Sequence, residues 1–190
     1  TAVKKQSTWD EYCRQLTALR YRNGKIDGYL SRLHYFSDWI ANNEQKGFVT
    51  DITQISGGVP DTLQLHFMSR NADRYPALQR NATLVDGIAA QERSLNGKII
   101  YYLPTFRLDS ASLATIQSGD IIAFTTDIPG LDIAHVGIAI QNNGEVRLIH
   151  ASSSQGRVIV ENRSILQQLK DNKKFSGIRI IRPQNFESRK

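Results

Sequence analysis

Two of the chain's four histidines, His135 and His150, lie in short apolar runs with strand character: Ala134-His135-Val136-Gly137-Ile138-Ala139-Ile140 and Leu148-Ile149-His150-Ala151-Ser152. Between the runs stands Asn142-Asn143-Gly144-Glu145, and Asn-Gly is a strong hairpin signal. A turn made of Asn143-Gly144, or of all four residues, puts Gln141 opposite Val146 and therefore Gly137 opposite His150. Side chains alternate faces along a strand, so His135 shares the face of Gly137 and of His150. Diagonal neighbours on one face lie about 7–8 Å apart at Cα, and closer at their tips. The two imidazoles are expected to meet, with the small residues Gly137 and Ala139 leaving room beside them.

A histidine pair supports three chemistries. A metal site needs a further ligand; Asp120 and Asp132 are at hand, but no ligand-dense motif joins them, and neither metal nor cofactor is expected. Two structural histidines at a sheet rim are the bland alternative. In the third reading one imidazole takes a proton from a nucleophile while the other orients it. The only thiol is Cys13. It falls in the second turn of a helix, on a stripe with Trp9 and Leu16, and not at a helix start where the dipole favours thiolate. Its sequence environment is that of a buried, inert cysteine. His66 reads as structural.

The elements that must carry this pair form an α+β chain. The length of 190 residues suits one domain. Apolar residues make up 40% and charged residues 22%, an ordinary soluble composition. No apolar run reaches the ~18–20 residues that cross a bilayer. A net charge of +6 favours anionic partners, but the basic residues are scattered without a nucleic-acid motif, and no nucleic acid is expected. The chain opens at Thr1 without methionine, which reads as a processed or truncated start.

Thr8 and Glu11 read as a capping box opening a helix with Trp9, Tyr12, Cys13, Leu16 and Leu19 inward, closed by Asn23-Gly24. A second helix is expected over 31–43, with Leu33, Phe36 and Ile40 inward and an Arg32–Asp38 surface pair. Residues 47–60 read as strand and turn, 62–68 as strand, and 75–95 as helix interrupted near Asn81. Strands follow at 98–103, 120–125, 157–160 and 178–182, with short helices at 110–116 and 164–170. Helices thus gather in the N-terminal half and strands in the C-terminal half, around one antiparallel sheet.

Gly119-Asp120-Ile121-Ile122-Ala123-Phe124, then Ala134-His135-Val136-Gly137, then Ile149-His150-Ala151-Ser152, resembles the signature of the NlpC-type cell-wall cysteine hydrolases. Arg20-Tyr21-Arg22-Asn23-Gly24 and Ser31-Arg32-Leu33-His34-Tyr35-Phe36-Ser37-Asp38-Trp39 resemble the N-acetylmuramoyl-L-alanine amidase-like branch of that superfamily. Together the blocks extend over nearly the whole chain. The resemblance implies a papain-like fold, a helical N-terminal half packed on the central sheet, and one amidase-like catalytic domain over 1–190. It makes His135 the general base and His150 the residue that orients it. Arg20, Arg22 and Arg32 become partners for stem-peptide carboxylates, and Tyr35 and Trp39 surfaces for the sugar, with His34 in the same binding block.

The chain departs from that pattern in one respect. The branch carries its nucleophile in an Asp-Cys-Thr-type motif upstream of the helix that here holds Cys13, and the chain contains no such motif. The nucleophile is therefore expected on a segment preceding Thr1. The implied activity is cleavage of the amide between N-acetylmuramic acid and L-alanine in peptidoglycan fragments, by an exported protein of the periplasm or cell envelope. Two alternatives stand beside it: an endopeptidase cutting between D-glutamate and the diamino acid, and a peptidoglycan-binding module without catalysis.

Overall fold

The computed structural model describes residues 8–142 and 144–184. Its centre is an eight-stranded sheet in which every pairing is antiparallel. The strands are β1 (Val49–Asp51), β2 (Val59–Thr62), β3 (Ile99–Pro104), β4 (Ile121–Thr126), β5 (Ile133–Asn142), β6 (Glu145–Ser152), β7 (Arg157–Val160) and β8 (Phe175–Pro183). They run in the order β2-β3-β8-β4-β5-β6-β7, and β1 pairs with β8 as well. The helices are α1 (Trp9–Arg20), α2 (Phe36–Gln45), α3 (Phe67–Arg70), α4 (Ala82–Leu95), α5 (Ser110–Leu113) and α6 (Ile165–Asp171).

The middle strands read as continuous apolar runs because both of their faces are covered. On one face Ile122, Phe124, Ile178 and Ile180 join Leu113, Ile116, Ile165 and Leu169 in the largest core cluster, which brings in α5 and α6. On the other face Ala123 and Ile181 pack with Ile40 of α2 and Val49 of β1, beside Phe36 and Trp39. A third cluster, with Tyr35, Leu65, Leu78, Ile88 and Leu95, joins α3 and α4 to the segment before α2. Arg179 is the one charge inside the apolar run of β8. Its guanidinium is 4% exposed and donates to Asp51 Oδ2 at 2.7 Å and Ser37 Oγ at 2.8 Å. A buried cation held this way ties β8, β1 and α2 together.

Several sequence expectations are corrected here. Thr8 caps α1 by accepting from Glu11 N at 3.2 Å, but Glu11 turns to Arg14 and Gln15, so only half of the capping box forms. The predicted inward stripe is not a buried one: Trp9 is 74% exposed and no residue of α1 is buried. Cys13 is half-buried. The helix stops at Arg20, since Asn23 and Gly24 take φ of 55° and 67° in a separate turn. Asn43 Nδ2 from α2 and Lys46 Nζ just after it satisfy the carbonyls of Ala18, Leu19 and Tyr21.

The second helix begins at Phe36 and not at 31, where Asp132 Oδ2 from the start of β5 accepts from Ser37 N at 2.6 Å. Asp38 pairs with Arg22 rather than Arg32, through Nη2–Oδ2 at 2.5 Å and Nη1–Oδ1 at 3.3 Å. Residues 62–68 are not a strand: β2 ends at Thr62 and α3 begins at Phe67. The helix expected over 75–95 starts only at Ala82, where Asn81 caps it through Leu84 N.

Candidate active site

The hairpin register is the one the sequence predicts. Gln141 pairs with Val146 and Ile138 with Ile149, which sets Gly137 across from His150. Asn142 pairs with Glu145, so the turn has two residues, and Gly144 takes φ of 82°; Asn143 lies outside the described residues. His135 and His150 meet edge to face, with ring planes at 90° and His135 Nε2 2.7 Å from His150 Nδ1. One of the two nitrogens carries the shared proton. Because Nε2 of His135 is engaged, its Nδ1 is the nitrogen left for a reactant.

Phe124 and Phe175 back the His135 ring at centroid distances of 5.9 and 6.4 Å. Burial holds the His135 pKa below its ordinary value, and the neighbouring His150 pushes it the same way. His135 is thus a neutral, proton-accepting imidazole near neutrality. The space expected beside Gly137 and Ala139 is filled. Both are buried, and a Cβ on Gly137 would lie 3.3 Å from the Leu148 side chain and from Ile149 O.

A separate opening lies against His135. A cavity of about 480 Å³ is lined by His135, Val136 and Ile133 of β5 and by Arg32, His34 and Tyr35 ahead of α2, with Tyr29 and Tyr75 at its wall. The Asp132–Ser37 bond described above holds these two walls in register. Arg32 is half-buried, and its guanidinium makes no hydrogen bond or ion pair among the described residues. His34 Nε2 bonds to Tyr29 O at 2.9 Å, with the two rings 4.4 Å apart. Burial lowers the His34 pKa.

Of the six residues given a binding role by sequence, three line this cavity: Arg32, His34 and Tyr35. The Tyr35 hydroxyl is already engaged, donating to Glu92 Oε1 at 2.6 Å and accepting from Met68 N at 2.9 Å. Arg22 is paired with buried Asp38. Trp39 stacks on Phe36 at 4.9 Å in the core beneath α2. Arg20 ends α1, and its carbonyl accepts from Leu33 N at 3.0 Å. Cys13 sits on α1, which packs against α2 and the turn after it, and is not among the cavity's lining residues. Asp120 is buried in an ion pair with Arg182. His66 packs over Gly130, where a Cβ would lie 2.3 Å from its Nδ1.

One neighbour of the pair escaped the sequence reading. Glu161 follows β7, and its Oε2 lies 3.7 Å from His150 Nε2. His150 pairs with Ile159, so Glu161 sits diagonally from His150 just as His135 does on the other side. The strand at 157–160 is legible from its β-branched run. Its pairing with β6 was the missing step, although the short link Ser153-Ser154-Gln155-Gly156 points to a second hairpin.

The N-acetylmuramoyl-L-alanine amidase-like (AmiA-like) family matches residues 1–178. A crystal structure named as an N-acetylmuramoyl-L-alanine amidase from Bacteroides uniformis is 41% identical with a TM-score of 0.90, the match covering 94% of this chain and 75% of that one. A Bacteroides fragilis protein whose name proposes a xylanase is 42% identical at a TM-score of 0.89, over 96% and 79% of the two chains. A Legionella pneumophila protein shares the fold at 21% identity and a TM-score of 0.69, over 94% and 70%. No curated protein matches. With the family match running through both the histidine hairpin and the cavity wall, the chain belongs to the N-acetylmuramoyl-L-alanine amidase-like family.

Proposed function

We propose that this protein hydrolyses the amide between N-acetylmuramic acid and L-alanine in peptidoglycan fragments, by thiol acyl transfer with His135 as base and His150 as its orienter. The observation that carries the reading is the 2.7 Å contact between His135 Nε2 and His150 Nδ1, with His135 at the wall of a cavity that Arg32 also lines. The nucleophile is a cysteine on a segment preceding Thr1, in the papain-like arrangement of the NlpC-type hydrolases, and Cys13 is not that residue. Family membership and the amidase name of a 41% identical structure support the substrate class.

In this mechanism His135 Nδ1 takes the thiol proton as sulfur attacks the lactyl carbonyl carbon, forming the C–S bond. The imidazolium returns the proton to the alanine nitrogen as the C–N bond breaks, leaving a thioester. His135 then takes a proton from water, which attacks the thioester and releases the lactyl carboxylate and the free thiol. Arg32 receives a carboxylate of the stem peptide. The ring faces of Tyr29 and Tyr75 contribute apolar surface to the same cavity. Such a substrate places the work in the periplasm or cell envelope. No helix among the described residues is long and apolar enough to cross a membrane.

The xylanase name of the second relative has less support in this site. Glycoside hydrolysis uses two carboxyl groups flanking the scissile bond. Here Asp132 is bound to Ser37 N and Glu161 to Arg163. Muropeptide digestion by the natural-length protein tests the proposal. Free muramic-acid sugar plus intact stem peptide is the expected product pair, and it disappears in His135→Ala. A shortened peptide still on the sugar points to an endopeptidase. Binding without turnover points to a peptidoglycan-binding module.

A further inference from the structure

His150 is held from both sides, and only one side is accounted for by the base it orients. Its Nδ1 meets His135. Its Nε2 is buried and has no hydrogen-bond partner among the described residues, and a carboxylate oxygen of Glu161 lies 3.7 Å away. That separation exceeds the ~2.7–3.2 Å of a hydrogen bond. It is still short enough that a bare lone pair on Nε2 would be repelled by the carboxylate and an N–H attracted to it. The side chains of His150 and Glu161 are 10% and 13% exposed, so water screens this interaction little.

Glu161 is itself fixed. Its Oε1 accepts from Arg163 N and Nε, both at 3.3 Å, and its Oε2 from Arg163 Nη2 at 2.9 Å. Arg163 is braced in turn by Asp171 Oδ2 at 3.3 Å, at the end of α6. The backbone N–H of Glu161 donates to Leu148 O at 2.8 Å, anchoring the residue beside β6. This clamp holds the Glu161 pKa down at about 2, Arg163 being the main cause.

We propose that Glu161 is a positioning residue that acts through His150, keeping the proton on His150 Nε2 so that His150 Nδ1 accepts from His135 Nε2–H. The consequence runs along the row. An Nε2–H tautomer of His150 has a bare Nδ1. A bare Nδ1 at 2.7 Å requires the proton of the contact to sit on His135 Nε2, and a neutral His135 protonated there has a bare Nδ1. That is the nitrogen able to receive a thiol proton. The opposite tautomer of His150 would leave His135 protonated on Nδ1 and useless as a base. The inference rests on the reading of His135 as base, but the tautomer it assigns exists whether or not the site turns over.

The test uses long-range 1H–15N correlation spectra of the full chain labelled in its four histidines, assigned with His135→Gln and His150→Gln. The expected spectrum has His150 protonated on Nε2 and bare on Nδ1, and His135 protonated on Nε2. In Glu161→Gln and Glu161→Ala the two His150 nitrogen shifts move toward each other as the tautomers mix. A wild-type His150 protonated on Nδ1 overturns the proposal without recourse to any variant. So do unmoved His150 shifts in whichever variant keeps the native backbone spectrum. Because the readout needs no substrate, an inactive protein with the expected tautomer would sink the amidase reading and leave this one standing. An active protein with the other tautomer would do the reverse.

Discussion

Replacing Tyr35 by phenylalanine removes one oxygen and asks whether that oxygen serves a ligand or the fold. The ring lines the cavity beside His135, but its hydroxyl bridges Glu92 Oε1 at 2.6 Å and Met68 N at 2.9 Å. Tyr35 is 5% exposed and Glu92 2%. Burial first, and then the bond to Glu92, keep the phenol protonated far above its ordinary range. Losing a hydrogen bond to a charged group removes about 1.5–3 kcal/mol, and leaving a buried N–H unpaired about 1–3 kcal/mol. Ser69 N, at 3.1 Å, still serves Glu92 Oε1, so the lower ends apply and the expected loss is about 2.5 kcal/mol. For a chain of this size that is a fall in Tm of about 5–10 °C. Urea unfolding is the assay, with the midpoint moving and the slope unchanged. Glu92→Gln added to Tyr35→Phe should remove less than it does alone, since the two side chains share one bond. A loss below about 0.5 kcal/mol, the size of an ordinary surface change, would refute the reasoning and return the hydroxyl to the ligand.

Three further outcomes are expected from the structure. His135 should titrate with a midpoint below 6.5 by NMR, burial being the first cause; its protonation opposes the native state, so stability falls as pH drops below 6.5, and a midpoint at or above that value contradicts the burial. Glu161 behaves oppositely: its folded pKa of about 2 lies under the ordinary 4.5, so its contribution is complete above 4.5 and fades as pH falls through 2. Urea midpoints measured across that range should therefore drop less steeply in Glu161→Gln than in the wild type. Gly177→Ala puts a Cβ 2.2 Å from Leu103 O and 2.9 Å from Tyr102 Cδ2, where β3 meets β8. A thermal scan should show a loss of at least about 2 kcal/mol, since backbone must shift to admit the methyl.

The hairpin was legible because its determinants are local: a turn dipeptide fixes the register, and strand alternation then places His135 against His150. The helix that opens at Ser164 was legible for the same reason, since it carries its own cap: Ser164 Oγ accepts from Gln167 N. What escaped depends on contacts far apart in sequence. Arg22 reaches Asp38 rather than Arg32 doing so, because the segment before α2 folds back on the end of α1, where Leu33 N meets Arg20 O. The bond from the Tyr35 hydroxyl to Glu92 and the stacking of Trp39 on Phe36 are contacts that helical spacing alone does not show. Glu161 needed the pairing of β6 with β7, whose local signal is the four-residue link Ser153-Ser154-Gln155-Gly156 and not an Asn-Gly dipeptide. The stripe on α1 is the opposite case: its helical spacing is real, yet Trp9 remains exposed.

The proposed activity breaks one bond, the amide between the lactyl carbonyl and L-alanine. Digestion of a purified muropeptide by the natural-length protein in 18O water, read by mass spectrometry, tests it most directly. The expected products are a muramic-acid sugar with one 18O in its lactyl carboxyl and an unlabelled, intact stem peptide beginning at L-alanine, with no turnover in His135→Ala. Label in a D-glutamate carboxyl of a shortened peptide, or turnover that survives His135→Ala, would contradict it.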